Sequence, residues 1–225
     1  MGFQILSNTA NVALEDIAKI VELIKTNGSS KKGLLGREEN FVLKEKNLHL
    51  KIVSAGGVFS RLPFGIRCSL GLRKLNREIK ALKLAQKLSL PAPKVLGQVI
   101  VKIGLARIGF VVTEFIEGST LVELCREDPE KAKASIGALE SVLNKLTRAK
   151  LFHKDLHPGN VFVSQNDVYL LDWGSIEPFY GPLDSAYSKY LKRWRRACIK
   201  YDLPFYLISY FCSIASKLRE YEPIY

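Results

Sequence analysis

The sequence predicts an α+β fold, with a small β-rich N-terminal lobe carrying one helix and a larger, mainly helical C-terminal lobe. Three observations carry that expectation. Short β-branched runs bounded by turn residues crowd the first half. One helical pattern interrupts them, and beyond Leu151 the chain reads as a loop, two short apolar strands and then largely helical sequence. A chain of 225 residues, 47% hydrophobic and 25% charged, can bury a sizeable core and lacks the composition of a disordered polymer. A ligand is expected between the two parts.

In chain order, Met1 to Ser7 lacks a basic region ahead of an apolar run. Leu6 stands where a myristoylation signal wants Ser or Thr, so neither a secretion signal nor a lipid anchor is expected. Leu14, Ile17, Val21 and Ile24 fall at helical spacing, although Lys19 to Lys25 reads equally as a strand. Asn27 to Gly33 is turn-rich. Asn40 to Lys44 and Leu48 to Val53 read as a hairpin. Leu72, Leu75, Ile79, Leu82 and Leu88 mark an amphipathic helix stopped by Pro91 and Pro93. Val95 to Lys102 and Ile108 to Phe115 predict two more strands. Asp128-Pro129-Glu130 supplies an N-cap, a proline at the first helical position and an acid in the first turn. It leads into a helix through Ile136, Leu139, Leu143 and Leu146. The short strands after Leu151 are Val161 to Val163 and Tyr169 to Leu171.

Charge narrows the partners. A formal net charge of +12 points to an anion: nucleic acid, a phosphorylated ligand or an acidic membrane surface. From Lys46 to Arg77 there is no acid, while Lys46, Lys51, Arg61, Arg67, Arg73, Lys74 and Arg77 lie within, as an anion site or a solvated face. Lys189 to Arg196 interleaves basic and aromatic residues, which suits either a lipid headgroup interface or a core helix with a charged outer face. Nucleic acid is not expected, because no nucleic-acid module accompanies these features. Four cysteines without CxxC spacing indicate neither a disulfide scaffold nor a zinc site and suit a reducing cytosol. The apolar run Phe205 to Ala215 is too short to span a bilayer.

The chemistry concentrates in His153-Lys154-Asp155-Leu156-His157-Pro158-Gly159-Asn160, followed after a strand, turn and strand by Asp172-Trp173-Gly174. One Asp and one Asn on a tight loop, with a second Asp before a Gly, form the set that phosphoryl transfer needs. These motifs resemble the protein-kinase-like superfamily in its H-x-D-L-H-x-x-N form, with Trp173 where Phe is usual in the D-F-G triplet. The resemblance implies a bilobal kinase-like fold with ATP as phosphoryl donor. It makes Asp155 the catalytic Asp and Asn160 and Asp172 the Mg²⁺ ligands. His157 is placed to neutralise the phosphoryl group or orient Asp155, and His153 to stabilise the loop.

By the same resemblance Lys51, in Leu48-His49-Leu50-Lys51, contacts the α- and β-phosphates and pairs with Glu78 on the following helix. His49 is read as alternating outward from Lys51, without a catalytic task. Glu114 to Gly118 resembles the hinge, where the Glu114 carbonyl and the Ile116 N–H would meet the adenine edge, Thr113 would line the pocket and Glu117 its rim. Gly28 and Gly33 are candidates for a phosphate-covering loop, although G-x-G-x-x-G is absent and an ordinary turn explains them nearly as well. The lobes would be residues 1–116, binding nucleotide, and 117–225, carrying the catalytic and substrate groups.

No A-P-E follows Asp172, so a peptide-substrate platform is not expected. The chain is most similar to bacterial lipopolysaccharide core kinases acting on heptose or Kdo. This rests on Arg77 to Leu82, Leu90 to Pro93 and His153 to Asn160. It implies an anionic lipid-linked glycan as acceptor and a cytoplasmic protein, with peripheral contact at the inner membrane. Other expectations are a kinase of a soluble alcohol of the aminoglycoside or choline type, a protein-serine kinase, and an inactive nucleotide-binding scaffold.

Overall fold

In the computed structural model, which describes residues 2–28, 40–55, 61–165 and 167–220, the β-branched runs of the first half pair into one antiparallel sheet. Its strands are β1 (Phe3–Asn8), β2 (Asn40–Leu43), β3 (Leu48–Ile52), β4 (Val95–Ile103) and β5 (Ala106–Glu114). Their order is β1-β4-β5-β3-β2, with β5 central. The predicted hairpin is the β2–β3 pair, and the two later strands are β4 and β5. The strand β1 was not anticipated, because a half-buried edge strand of mixed residues carries little periodic signal; it pairs with β4.

Residues of β5 are buried on both faces, so helices must cover both. On one face Ile108, Phe110 and Val112 join Leu50, Ile52, Val99 and Val101 beneath α1 (Leu14–Gly28), which contributes Ile17, Ile20, Val21 and Ile24. The ambiguous first segment is thus a helix. Its apolar stripe starts at Ile17, since Leu14 is exposed. Helix α1 also runs through Asn27 and Gly28, where a turn was expected.

The opposite face of β5 meets α2 (Phe64–Lys87). A Cβ on Gly109 would lie 2.7 Å from Leu75 Cδ2, so the missing side chain is the space the helix occupies. Within α2, a Cβ on Gly71 would stand 2.3 Å from the Val53 carbonyl oxygen. Helix α2 begins earlier than the apolar spacing from Leu72 suggested, so much of the acid-free stretch is helical. Arg67 is buried, donating from Nε to the Ala55 carbonyl at 3.1 Å, and belongs to no surface patch.

By its contacts the chain divides into two units: Met1–Lys83 with Lys94–Phe115, and Leu84–Pro93 with Ile116–Tyr225. In the second, β6 (Ser119–Thr120) leads into α3 (Leu121–Glu127). Thr120 and Glu123 there satisfy each other's backbone N–H groups in a capping box. The expected helix is α4 (Pro129–Arg148), with Asp128 accepting from the Lys131 N–H at 3.0 Å. Such a cap contributes about 1 kcal/mol. Strands β7 (Leu151–His153), β8 (Val161–Ser164), β9 (Asp167–Leu170) and β10 (Ile176–Pro178) follow. They form a β10–β7 pair and a β6-β8-β9 sheet.

Helices α5 (Leu183–Tyr201) and α6 (Tyr206–Glu220) complete the unit. Tyr190 and Trp194 of α5 are buried, Trp194 stacking on Phe211 at 4.2 Å. Lys189, Lys192, Arg193, Arg195 and Arg196 are exposed. The basic-aromatic stretch is therefore a core helix with a charged outer face, and its aromatic rings are not available to lipid. Among the described residues no helix is long and apolar enough to cross a membrane. All four cysteines are free thiols.

Two glycines give opposite expectations. Gly71→Ala should lower stability by about 1–3 kcal/mol through overpacking against backbone. Gly137→Ala, in α4 with open space at its Cβ, should raise it by about 0.5–1 kcal/mol. Urea midpoints of the two variants check both signs.

Candidate active site

In the first unit, period-two alternation puts His49 and Lys51 on the same face of β3. Their cross-strand partners are Thr113 and Val111 of β5, on the face that α2 covers. Glu78 lies one turn beyond Leu75, which fills the space at Gly109. Lys51 Nζ accordingly reaches Glu78 Oε1 at 3.0 Å, with both side chains largely shielded from water. His49 does not point away from Lys51, as the sequence reading had it. Its ring bonds Thr113 Oγ1 at 3.3 Å and Asn40 Oδ1 at 3.1 Å. Burial, and then the Lys51 charge, hold its proton affinity below the ordinary value.

Glu114 closes β5. Its carboxylate accepts from the Lys94 N–H at 3.1 Å, and the Phe115 N–H donates to the Asn47 carbonyl at 3.0 Å. The Ile116 N–H makes no hydrogen bond among the described residues. Gly28 ends α1, where its N–H serves the helix ladder rather than an open phosphate loop. Gly33 lies outside the described residues.

In the second unit the loop after β7 is clamped by backbone bonds. His153 Nε2 donates to the Leu171 carbonyl at 2.8 Å, and the Leu171 N–H donates to the Asn160 carbonyl at 2.9 Å. Both ends of the loop thereby hold the residue preceding Asp172. His153 is fully buried, and its Nδ1 has no partner among the described residues. Burial pushes its pKa down. From β7's neighbour α5, Tyr190 accepts the His153 N–H at 2.9 Å.

Inside the loop, Asn160 Nδ2 donates to the Asp155 carbonyl at 2.8 Å. That bond engages the nitrogen end of the amide, and Oδ1 takes no hydrogen bond among the described residues. Asp172 sits in the left-handed region, φ 56°, and Ser175 Oγ donates to its Oδ2 at 2.9 Å. An amide oxygen and a carboxylate are the hard oxygen donors that suit Mg²⁺.

His157 Nδ1 accepts the Gly159 N–H at 3.0 Å, which places the ring proton on Nε2. Burial depresses its pKa, the Asp155 charge opposing and Arg193 and Lys200 reinforcing. His157 is thus a neutral donor rather than the cation that charge neutralisation would need. The Asp155 carboxylate is paired through Oδ1 with Arg193 of α5. The sequence reading missed this contact, because Arg193 is one of several basic residues far downstream and nothing local distinguishes it.

The fold and these two constellations define a kinase-like protein of mixed helices and antiparallel sheets. The model of the lipopolysaccharide kinase (Kdo/WaaP) family matches residues 33–177, more than half of the chain, and the chain belongs to that family. Among solved structures it is similar to the bifunctional kinase-methyltransferase WbdD. One structure of WbdD matches with TM-score 0.52 and 20% identity, over 83% of this chain and 45% of that one. A second matches with TM-score 0.48 and 19% identity, over 80% and 42%. The chain spans less than half the length of these structures, and the first likeness speaks for the fold. No curated protein sequence matches the chain.

The three histidines link stability to pH. Each has a folded pKa below its ordinary 6.5, so each takes up protons more readily when unfolded. Their contribution is complete above about pH 6.5 and is lost as pH falls through the folded values. The melting temperature should therefore fall between pH 7 and 5. His153→Gln, which keeps a donor toward Leu171, should show a shallower fall; an unchanged slope would remove His153 from the linkage.

Proposed function

We propose that this chain is an ATP-dependent kinase that phosphorylates a sugar hydroxyl of the lipopolysaccharide inner core. The observation that carries the reading is the clamped loop, which supports Asp155 and Asn160 on one side and fixes the residue before Asp172 on the other. Family membership supports the phosphotransferase class and its substrate.

In this reading residues 1–116 form the nucleotide-binding lobe and 117–225 the catalytic and substrate lobe. Lys51, held by Glu78, contacts the α- and β-phosphates, and the Glu114 carbonyl and Ile116 N–H meet the adenine edge. Asn160 and Asp172 would hold Mg²⁺, which supplies charge neutralisation at the phosphates when bound. Asp155 orients the acceptor hydroxyl and receives its proton as the oxygen bonds to the γ-phosphorus. The bond from that phosphorus to the β–γ bridging oxygen breaks, and ADP departs with the electron pair. His157 Nε2–H donates toward the transferring group or Asp155.

Peripheral contact with the cytoplasmic face of the inner membrane belongs to the same reading. Between Lys46 and Glu114 the sequence holds one acid, Glu78, and it is buried. The solvent face of α2 carries Arg73, Lys74, Arg77, Lys80 and Lys83, with Ile66 and Leu70 also exposed. Cations beside apolar side chains suit an anionic lipid surface.

Transfer of labelled γ-phosphate from ATP to purified, dephosphorylated lipopolysaccharide core tests the reaction. Asp155→Asn should lower turnover by about 10²–10⁴-fold while leaving ATP affinity nearly intact, and Asp172→Ala should abolish transfer. The engagement of Asp155 by Arg193 favours one other reading, an inactive nucleotide-binding scaffold. Wild-type protein that binds Mg·ATP yet labels neither the core nor a soluble alcohol would establish that reading instead.

A further inference from the structure

The pairing of Asp155 with Arg193 is built into the fold. Tyr190 and Arg193 stand at i and i+3 on α5, one face of the helix. Tyr190 accepts the His153 N–H at 2.9 Å, and Arg193 meets the Asp155 carboxylate. Two residues of one helix turn therefore register on two residues of one loop. Trp194, next in sequence, is fully buried against Phe211 and donates to the Leu207 carbonyl at 3.2 Å, so the helix cannot rotate freely. At the far end of α5, Arg126 Nη2 bonds the Tyr201 carbonyl at 3.2 Å.

Despite that anchoring, the Arg193 side chain is about half exposed and the Asp155 side chain about a third. Arg193 is thus reachable from solvent beside the carboxylate that an acceptor hydroxyl must approach. Lys200 is close enough to act on His157, and the Tyr201 ring lies 6.4 Å from the His157 ring. The rim of the site on this side is cationic and aromatic. A neutral alcohol approaching Asp155 would have to compete with a charge-assisted bond and offer Arg193 nothing in return. An acceptor carrying its own anion could take the guanidinium in exchange, since Arg matches carboxylate and phosphate with paired donors.

We propose that Arg193 is the acceptor-recognition residue: it binds a carboxylate or phosphate on the sugar near the reacting hydroxyl, and in doing so releases Asp155 to that hydroxyl. The inference rests on the kinase reading above and adds to it the charge requirement on the acceptor. The contact is an exchange of ion-pair partners, with no covalent step of its own.

The test compares wild type, Arg193→Gln and Arg193→Lys on three preparations of lipopolysaccharide core taken from cells that lack this protein, so that the acceptor hydroxyl is free in all of them: untreated, carboxyl-reduced and dephosphorylated. Wild type should show KM raised at least tenfold by whichever treatment removes the recognised anion, which also tells carboxylate from phosphate. Arg193→Gln should show that raised KM on untreated core, with a much smaller change in kcat, and should be insensitive to the treatment. Arg193→Lys should recover part of the loss. An equal loss on all three cores would make Arg193 a support for Asp155 only, and no loss on any would remove it from recognition; either overturns the proposal. Equilibrium binding of each core without nucleotide repeats the comparison free of chemistry. A wild type that transfers no phosphate, yet binds untreated core tenfold more tightly than Arg193→Gln does, would retire the kinase reading and with it the release of Asp155, while keeping Arg193 as the residue that recognises the anion of the core. Equal binding by the two would overturn it.

Discussion

In the second unit, the loop that carries Asp155 and Asn160 hangs on Leu171. Its carbonyl accepts from His153 and its N–H donates to the Asn160 carbonyl, so one residue joins the beginning and the end of the loop to the segment that delivers Asp172. A buried imidazole suits this task because it is rigid and, when neutral, presents one fixed donor. Burial keeps it neutral, which preserves the donor to Leu171 without leaving a charge in the core. The cost is an Nδ1 lone pair without a partner among the described residues, a loss on the order of 1–3 kcal/mol that the loop's other bonds must offset.

The Lys51–Glu78 pair of the first unit depends on a different constraint, the closeness of α2 to β5. A helix carrying a carboxylate can meet a strand lysine only if the helix backbone comes near the sheet. Gly109 and Gly71 allow that approach at two places, one on the sheet and one on the helix. With Leu75 seated over Gly109, helical geometry places Glu78 one turn further along, over Lys51. Each partner removes the reason the other's burial would be unfavourable, and loss of either would strand a charge in a site largely shut off from water.

Charge is organised by the same division between inside and outside. The acid-free stretch looks uniform in sequence, yet its members have separate tasks. Lys46 pairs with Asp16, Lys51 with Glu78, and Arg67 is buried against the Ala55 carbonyl. Arg73, Lys74 and Arg77 lie exposed on α2. In α5 the split is by helix face: aromatic residues turn inward to Phe211 and Phe152, and cations stay outside.

The elements with strong local signals, and the polar side chains held at fixed spacing, are legible in the sequence. The Asp128 cap and the helix after it, the β2–β3 hairpin and the pair β4 and β5 need only neighbouring residues to specify them. The same holds for Asp155, Asn160 and Asp172, whose separation is set by a loop and a short hairpin. Tertiary structure decided what depends on contacts between distant residues. Strand β1 exists because β4 offers an edge, α1 is a helix because β5 needs a cover, and His49 faces the side Lys51 faces because a pleat repeats every two residues. Arg193 is the clearest case. Nothing local separates it from Lys192 or Arg195, and only the packing of Tyr190 and Trp194 turns it, rather than them, toward Asp155.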